Sequence, residues 1–254
     1  MTAGPDIATV AQAIGEPARA AMLLQLMDGD AHTARVLATV AGIAPSTASA
    51  HLRRLCDAGL VRVTESGRQR LHRLAGPEIA QLVEALAALA PPRLPANLQP
   101  DPPTNALLEA RVCYGHLGGR LGVTIAARLQ EDGVVGALRP GDTAAVRTFD
   151  HPLLCALGIT GVTAAPPVRA CLDWSQGRVH LAGALGAALL SGLLDAGWVR
   201  RRPAGRALRI TPAGRDRLAR LAFPPVGVSG SQRFGSQRFG SQRPGERGSG
   251  ATSR

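Results

Sequence analysis

Residues 44–74 read APSTASAHLRRLCDAGLVRVTESGRQRLHRL, and this stretch decides the fold. Apolar Ala48, Leu52 and Leu55 fall at i, i+4 and i+7, the spacing of a helix with one buried face. Ser46, Thr47, Ser49, His51, Arg53 and Arg54 stand between them and make the opposite face polar and cationic. Ala58-Gly59 ends the helix, with Gly59 free to take the left-handed conformation that helix ends favour. Leu60, Val61 and Val63 start a strand, Ser66-Gly67 turns the chain, and Leu71 and Leu74 return it. A helix presenting hydroxyls and arginines, followed by a basic hairpin, is the arrangement with which a winged helix-turn-helix meets DNA.

The flanking sequence fits that frame. Residues 6–27 predict two helices broken at Gly15-Glu16-Pro17, because Pro17 suits a first helical turn, where its missing N–H costs nothing. Thr33 is a candidate N-cap for a helix over residues 34–41. Gly42-Ile43-Ala44-Pro45 is the expected turn, with Ser46 capping the helix that follows. Pro77 opens a last helix whose Ile79, Leu82, Val83, Leu86 and Leu89 offer more apolar surface than a thin wing covers, so a dimer contact is expected there.

Charge is distributed unevenly. The chain carries a formal net charge of +11, and every one of its 29 basic residues is arginine. Residues 1–90 balance eight arginines against eight acids, yet residues 46–73 hold six arginines against Asp57 and Glu65. Positive charge is thus gathered on the helix and hairpin of an otherwise neutral domain, the footprint of a polyanionic partner.

Residues 6–90 resemble the ArsR (SmtB) family of bacterial winged-helix repressors. The matching pieces are Ile14-Gly15-Glu16-Pro17-Ala18-Arg19, the run STASAHLRRLCDAGLV, and the Gly67 wing. The resemblance implies a homodimeric repressor, joined through its first and last helices, on a double-stranded DNA operator. Carried over by position, Ser46, Thr47, Ser49, His51 and Arg53 would face the major groove, beside Arg54. Arg68 and Arg70 would approach phosphate from the wing. The metal sites associated with the family are not matched in this domain: the first helix of the pair, TARVLATVA, has no cysteine, and residues 76–89 have no histidine.

The expected architecture is mainly α with small β-hairpin wings: a winged helix-turn-helix joined to a second, degenerate winged-helix-like C-terminal domain. Residues 1–90 form the DNA-binding and dimerisation domain, and residues 91–105, with six prolines, form a stiff extended linker. Residues 106–223 form a regulatory domain that starts with a helix over residues 106–117. Residues 224–254, with SQRFG repeats and a Gly/Ser/Arg end, read as a disordered tail. Asp57-Ala58-Gly59-Leu60-Val61-Arg62 recurs as Asp195-Ala196-Gly197-Trp198-Val199-Arg200, and the same offset carries Gly67 to Gly205 and Gly76 to Gly214. Residues 178–222 therefore read as a second winged-helix half. Its recognition positions have become Ala184, Leu185, Ala187, Leu189, Ser191 and Gly192, a face suited to being covered. Its wing keeps Arg200, Arg201, Arg202, Arg206 and Arg209.

Two segments carry candidate chemistry. Cys113 and His116 lie in EARVCYGHLGGRLG, three apart, and Cys171 and His180 lie in CLDWSQGRVHLAGALG. Both resemble stretches of longer ArsR-like regulators with such a C-terminal extension, which does not reveal their ligand. Two cysteines and two histidines suit zinc or another soft metal, although the gap from Cys171 to His180 is not a standard finger spacing. Thiol-based sensing through Cys113 and Cys171 is the second reading; buried thiols and hydrogen-bonded histidines with no cofactor are the third, which the sequence favours. Cys56 and Cys155 read as core residues, His32 and His72 as surface ones, and Tyr114 and Trp174 as packing.

No P-loop, GxGxxG in a strand-to-helix setting, GxSxG or HExxH is present, so an enzyme is not expected. With no apolar run of membrane-spanning length and no signal pattern, the expectation is a cytoplasmic protein without a membrane partner. The functional expectation is a sequence-specific DNA-binding regulator, a homodimeric repressor under an unidentified effector. The competing reading is a metal- or thiol-redox sensor or interaction protein whose C-terminal domain dominates.

Overall fold

The computed structural model describes residues 4–90, 102–202 and 205–223. In the N-terminal part, α1 (Ile7–Ile14) and α2 (Pro17–Leu26) are separated by the Gly15-Glu16 break, with Pro17 in the first turn of α2. Arg19 secures that corner. Its buried guanidinium donates to the carbonyls of Gln12 (2.7 Å) and Ala13 (2.5 Å), which α1 leaves without helical partners at its end. Thr33 caps α3 (Ala34–Ala41), and Gly42 closes it at φ 67°. Then comes α4 (Pro45–Asp57), whose N-cap is Ala44 without a side-chain bond. The expected Ser46 cap is therefore corrected: Pro45 takes the first helical position and puts Ser46 inside the helix. The wing is β2 (Val61–Ser66) and β3 (Gln69–Leu74), and β1 (His32–Thr33) adds to β3 to give the order β1-β3-β2. The domain closes with α5 (Pro77–Leu89). Its core is built from Met22, Leu23, Leu26, Leu37, Leu52, Leu55, Leu60 and Leu74. His72 is buried and His32 half-buried against Asp28, so neither is the surface residue expected.

The C-terminal part begins with α6 (Pro102–Glu109), so a helix starts inside the expected linker; residues 91–101 lie outside the described residues. There follow β4 (Arg111–Cys113), β5 (His116–Gly118), α7 (Gly119–Glu131), β6 (Thr143–Ala144), α8 (Pro152–Ala156), β7 (Val168–Leu172), β8 (Val179–Ala182), α9 (Gly183–Asp195), β9 (Val199–Arg201), β10 (Leu208–Ile210) and α10 (Pro212–Arg220). The helix expected over residues 106–117 is corrected. The chain leaves it at Ala110 and makes a tight hairpin through Tyr114 (φ 48°) and Gly115 (φ 86°).

Two hairpin-helix units, β4-β5-α7 and β7-β8-α9, form the centre of this domain. They are repeats: HLGGRLGVTIAARLQEDGVV at 116–135 aligns with HLAGALGAALLSGLLDAGWV at 180–199 without a gap. The packing is exchanged, α7 lying against β8 and α9 against β5. Close approach requires glycine at Gly122 and Gly186. A Cβ at Gly122 would collide with the Leu117 carbonyl, and one at Gly186 with the Leu181 carbonyl.

The last unit, α9-β9-β10-α10, has the helix-hairpin-helix order of α4-β2-β3-α5. Its wing is shorter: Val61 pairs with Leu74, but Val199 pairs with Ile210. The gapless repeat thus holds through the helix and slips after the wing turn, leaving Gly214 inside α10 rather than before it. On α9, Leu185 and Leu189 are buried as expected, while Ala187 and Ser191 remain exposed. Residues 203, 204 and the tail at 224–254 lie outside the described residues.

The two parts share a seam. Cys113, Cys171 and Ala182 join the apolar cluster of the N-terminal domain, α5 packs on β7, and the Tyr114 N–H donates to the Met27 carbonyl at 2.6 Å.

Candidate functional site

The first candidate surface is α4 and the wing. Ala48, Leu52 and Leu55 are buried, and the helical period therefore turns Ser46, Thr47, Ser49, Arg53 and Arg54 outward, where all five are exposed. The Ser49 hydroxyl donates to the Pro45 carbonyl at 3.0 Å. Arg68 at the wing turn and Arg70 on β3 are also exposed. Among the described residues, no ion pair engages Arg53, Arg54, Arg68 or Arg70. His51 differs from its neighbours. It is half-buried, with Nδ1 3.1 Å from Arg19 NH1 and 3.6 Å from Glu16, so it braces α4 against α2.

The second site lies at the seam. The two hairpins place Cys113 opposite His116 and Cys171 opposite His180, each a cross-strand pair. The exchanged packing of α7 and α9 then brings the pairs together. One ligand atom from each of the four residues lies within 4.8 Å of the other three, and all four residues are buried. The two Nε2 atoms stand 3.0 Å apart. The helix expected over residues 106–117 would carry Cys113 and His116, three apart, on one face; they are instead neighbours across a hairpin. Cys56 is half-buried and Cys155 exposed, so Cys155 is not the core residue expected.

Around the cluster runs a buried set of charges. Asp173 Oδ2 lies 3.1 Å from His180 Nδ1 and 2.9 Å from Arg111 NH2, and it accepts the Gly119 N–H at 2.7 Å. Arg111 also donates to Ser175 Oγ and stacks on Trp174, its guanidinium carbon 4.8 Å from the ring centre. Glu84 of α5 is 2 % exposed and sits 3.7 Å from Arg111 and 3.6 Å from Arg206. Cys113 Sγ donates to Glu84 at 3.2 Å. Arg206 is therefore an internal ion-pair partner rather than part of an exposed second wing, and Arg201 pairs with Asp30 across the seam at 3.3 Å.

These surroundings set the protonation states. The hydrogen bond with Cys171, together with burial, pushes the Cys113 thiol up to about 12, so in the metal-free cluster it is a thiol. Burial opposes charge on both Asp173 and His180, but their contact outweighs it, with Arg111 also favouring the carboxylate. Asp173 is held well below the usual carboxylate range, and His180 is raised. Glu84, Arg111 and Asp173 were not singled out by sequence reasoning, and Arg206 was read only as a wing residue. The signal that was available for the cluster is the repeat that places His116 and His180 at equivalent positions.

Comparison with known proteins covers both parts of the chain. A family model described as a helix-turn-helix domain matches residues 14–64. An uncharacterized HTH-type transcriptional regulator, YdfF of Bacillus subtilis (strain 168), is 40% identical over 216 residues, covering 83% of this chain and 94% of the relative. That alignment is too long to be confined to the winged helix. Among solved structures, a homodimeric winged helix-turn-helix DNA-binding domain from Mycobacterium bovis matches at 27% identity and TM-score 0.31, covering 35% of this chain and 89% of its own. The transcriptional repressor BigR from Xylella fastidiosa matches at 26% identity and TM-score 0.32, with the same coverages of 35% and 89%. Among the described residues no helix is long and apolar enough to cross a membrane. With an exposed polar face on α4, a basic wing and a relative aligned along both parts of the chain, this chain belongs to the DNA-binding helix-turn-helix transcriptional regulators.

Proposed function

We propose that this regulator is a homodimeric repressor that reads a double-stranded operator with α4, as its resemblance to the ArsR family implies. The C-terminal domain would carry its response to an effector. One observation carries the reading: Ser46, Thr47, Ser49, Arg53 and Arg54 form an exposed face of hydroxyls and guanidiniums, free of ion pairs among the described residues, beside Arg68 and Arg70 of the wing. Hydroxyls and guanidiniums are the groups that bond base edges and phosphates. His51 supports this face from behind rather than reading bases. The dimer is supported by the apolar residues that α1 and α5 leave uncovered, Ile7 (71% exposed), Leu86 (40%) and Leu89 (75%). Two copies joined there would place two recognition helices in successive major grooves, roughly 34 Å apart on an inverted repeat.

Fluorescence anisotropy with DNA from the protein's own upstream region tests the reading. Two contacts of about 1–3 kcal/mol each predict that replacing Arg53 and Arg54 together by alanine weakens binding at least ~30-fold. Unchanged affinity would overturn the assignment. A promoter fusion that falls silent on expression of the protein supports repression, and one that brightens replaces it with activation.

A further inference from the structure

We infer that Cys113, His116, Cys171 and His180 form a closed site for a single zinc ion, bound by two thiolates and two imidazole Nε2 atoms. Tetrahedral zinc, with Zn–N of about 2.0–2.1 Å and Zn–S of about 2.3 Å, sets ligand atoms roughly 3.3–3.8 Å from one another. The four ligand atoms already lie within 4.8 Å of each other, and the two Nε2 atoms at 3.0 Å need to part by only a few tenths of an ångström.

The site is built by the fold. Each hairpin supplies one cysteine and its cross-strand histidine, so the ligands come as two matched pairs from the two repeats. Gly186 also leaves space for one ligand residue, since a Cβ there would lie 3.2 Å from His116 Cβ. Asp173 at His180 Nδ1 turns Nε2 toward the centre, the carboxylate–histidine arrangement that orients metal-bound imidazoles.

Charge closes as well. Two thiolates neutralise a divalent ion, and Arg111 and Arg206 offset Glu84 and Asp173, so the loaded interior carries no net charge. On binding, each cysteine gives up its thiol proton and each Nε2 binds as an unprotonated imidazole nitrogen, the displaced protons leaving to solvent; no electron moves. Four protein ligands fill a tetrahedron and leave no open position, which suits retention of the ion rather than hydrolytic chemistry. The inference concerns the C-terminal domain and does not depend on α4 reading DNA, because metal uptake and DNA affinity are measured separately.

The test uses the full-length protein purified under reducing conditions, analysed for metal, then stripped with chelator and titrated with zinc alone or cobalt alone. The expected result is one zinc per chain, with two of the four cysteines shielded from a thiol reagent until chelator is added. Cobalt should give the visible bands of a tetrahedral centre together with thiolate-to-metal absorption. Cys113→Ser and Cys171→Ser should each abolish retention of zinc through the chelator wash, and a Cys56→Ser/Cys155→Ser double variant should keep it. Asp173→Asn, at a positioning residue, should weaken zinc binding about 10–100-fold while the cobalt spectrum keeps its tetrahedral form. Since a cysteine variant can fail to fold, the wild-type titration decides. Absence of zinc uptake by the wild-type chain, cobalt bands without thiolate absorption, or loss of zinc in the Cys56/Cys155 variant would each overturn the inference. A Cys113–Cys171 disulfide forming in the presence of excess zinc would do the same, and would point to thiol redox chemistry.

Discussion

Replacing Glu84 by glutamine removes one charge and almost no volume from the seam, and it should destabilise the protein severely. The carboxylate lies 3.7 Å from Arg111 and 3.6 Å from Arg206, and all three side chains are buried. At an effective dielectric constant near 20, each contact is worth roughly 4–5 kcal/mol before desolvation is counted. Taking the carboxylate out of water cancels several kcal/mol of that gross attraction. Arg111 keeps Asp173 after the substitution, whereas Arg206 is left with no carboxylate partner among the described residues. A buried charge stripped of its partner costs about 3–5 kcal/mol. Urea unfolding followed by circular dichroism should show a loss of that size, and limited proteolysis should cut sooner between the domains. A change under 1 kcal/mol would refute the reasoning and show that water reaches Arg206. A Glu84→Leu/Arg206→Met pair should recover much of the loss, because it removes the stranded charge along with its partner.

Two further outcomes follow from single residues. Gly186→Ala would ordinarily stabilise a helix by ~1 kcal/mol. Here the new Cβ meets the Leu181 carbonyl and sits 3.2 Å from His116 Cβ, so thermal melts should show a net loss of about 1–3 kcal/mol, and a raised melting temperature would disprove the close approach. Arg68→Ala and Arg70→Ala should each reduce the slope of log affinity against log salt by about 1 in the anisotropy assay, with sequence preference unchanged. A constant slope would remove the wing from the phosphates.

How much of this was legible depends on how local the causes are. The α1–α2 break, the Thr33 cap and the outward face of α4 follow from proline geometry, a hydroxyl before a helix and the helical period, each acting within a few residues. The hairpin at Cys113 does not. Its turn needs positive φ at two successive positions, a demand usually met by Asn-Gly or Gly-Gly, and Tyr114 is an unfavourable choice for one of them. Its backbone N–H bonds to Met27, in the other domain, so a tertiary contact selects the conformation. Tyr114-Gly115 gave little local warning of this, and the three-residue spacing from Cys113 to His116 matched a helix just as well. The charges around the cluster were hidden for the same reason. Glu84 stands on an amphipathic helix where an acid reads as solvated, and only the folded chain brings Arg111, Arg206 and Cys113 to it.

A hydrogen bond joins the cluster to the N-terminal domain, beside the apolar contacts that Cys113 and Cys171 make with that domain's core. The Cys113 thiol donates its proton to Glu84, which belongs to α5, the helix expected to carry part of the dimer contact. Zinc at the cluster would remove that proton, since the metal binds thiolate. The bond from Cys113 to Glu84 is then lost, and a thiolate stands 3.2 Å from a carboxylate that Arg111 and Arg206 still attract from other directions. Occupancy of the C-terminal site would therefore change the balance of forces on α5 without any contact between the metal and DNA. A thiol is a weak donor, so coupling through this contact would lie toward the low end of the roughly 1–3 kcal/mol typical of allosteric proteins. The linkage is reciprocal: whatever zinc does to operator affinity, the operator must do to zinc affinity by the same factor.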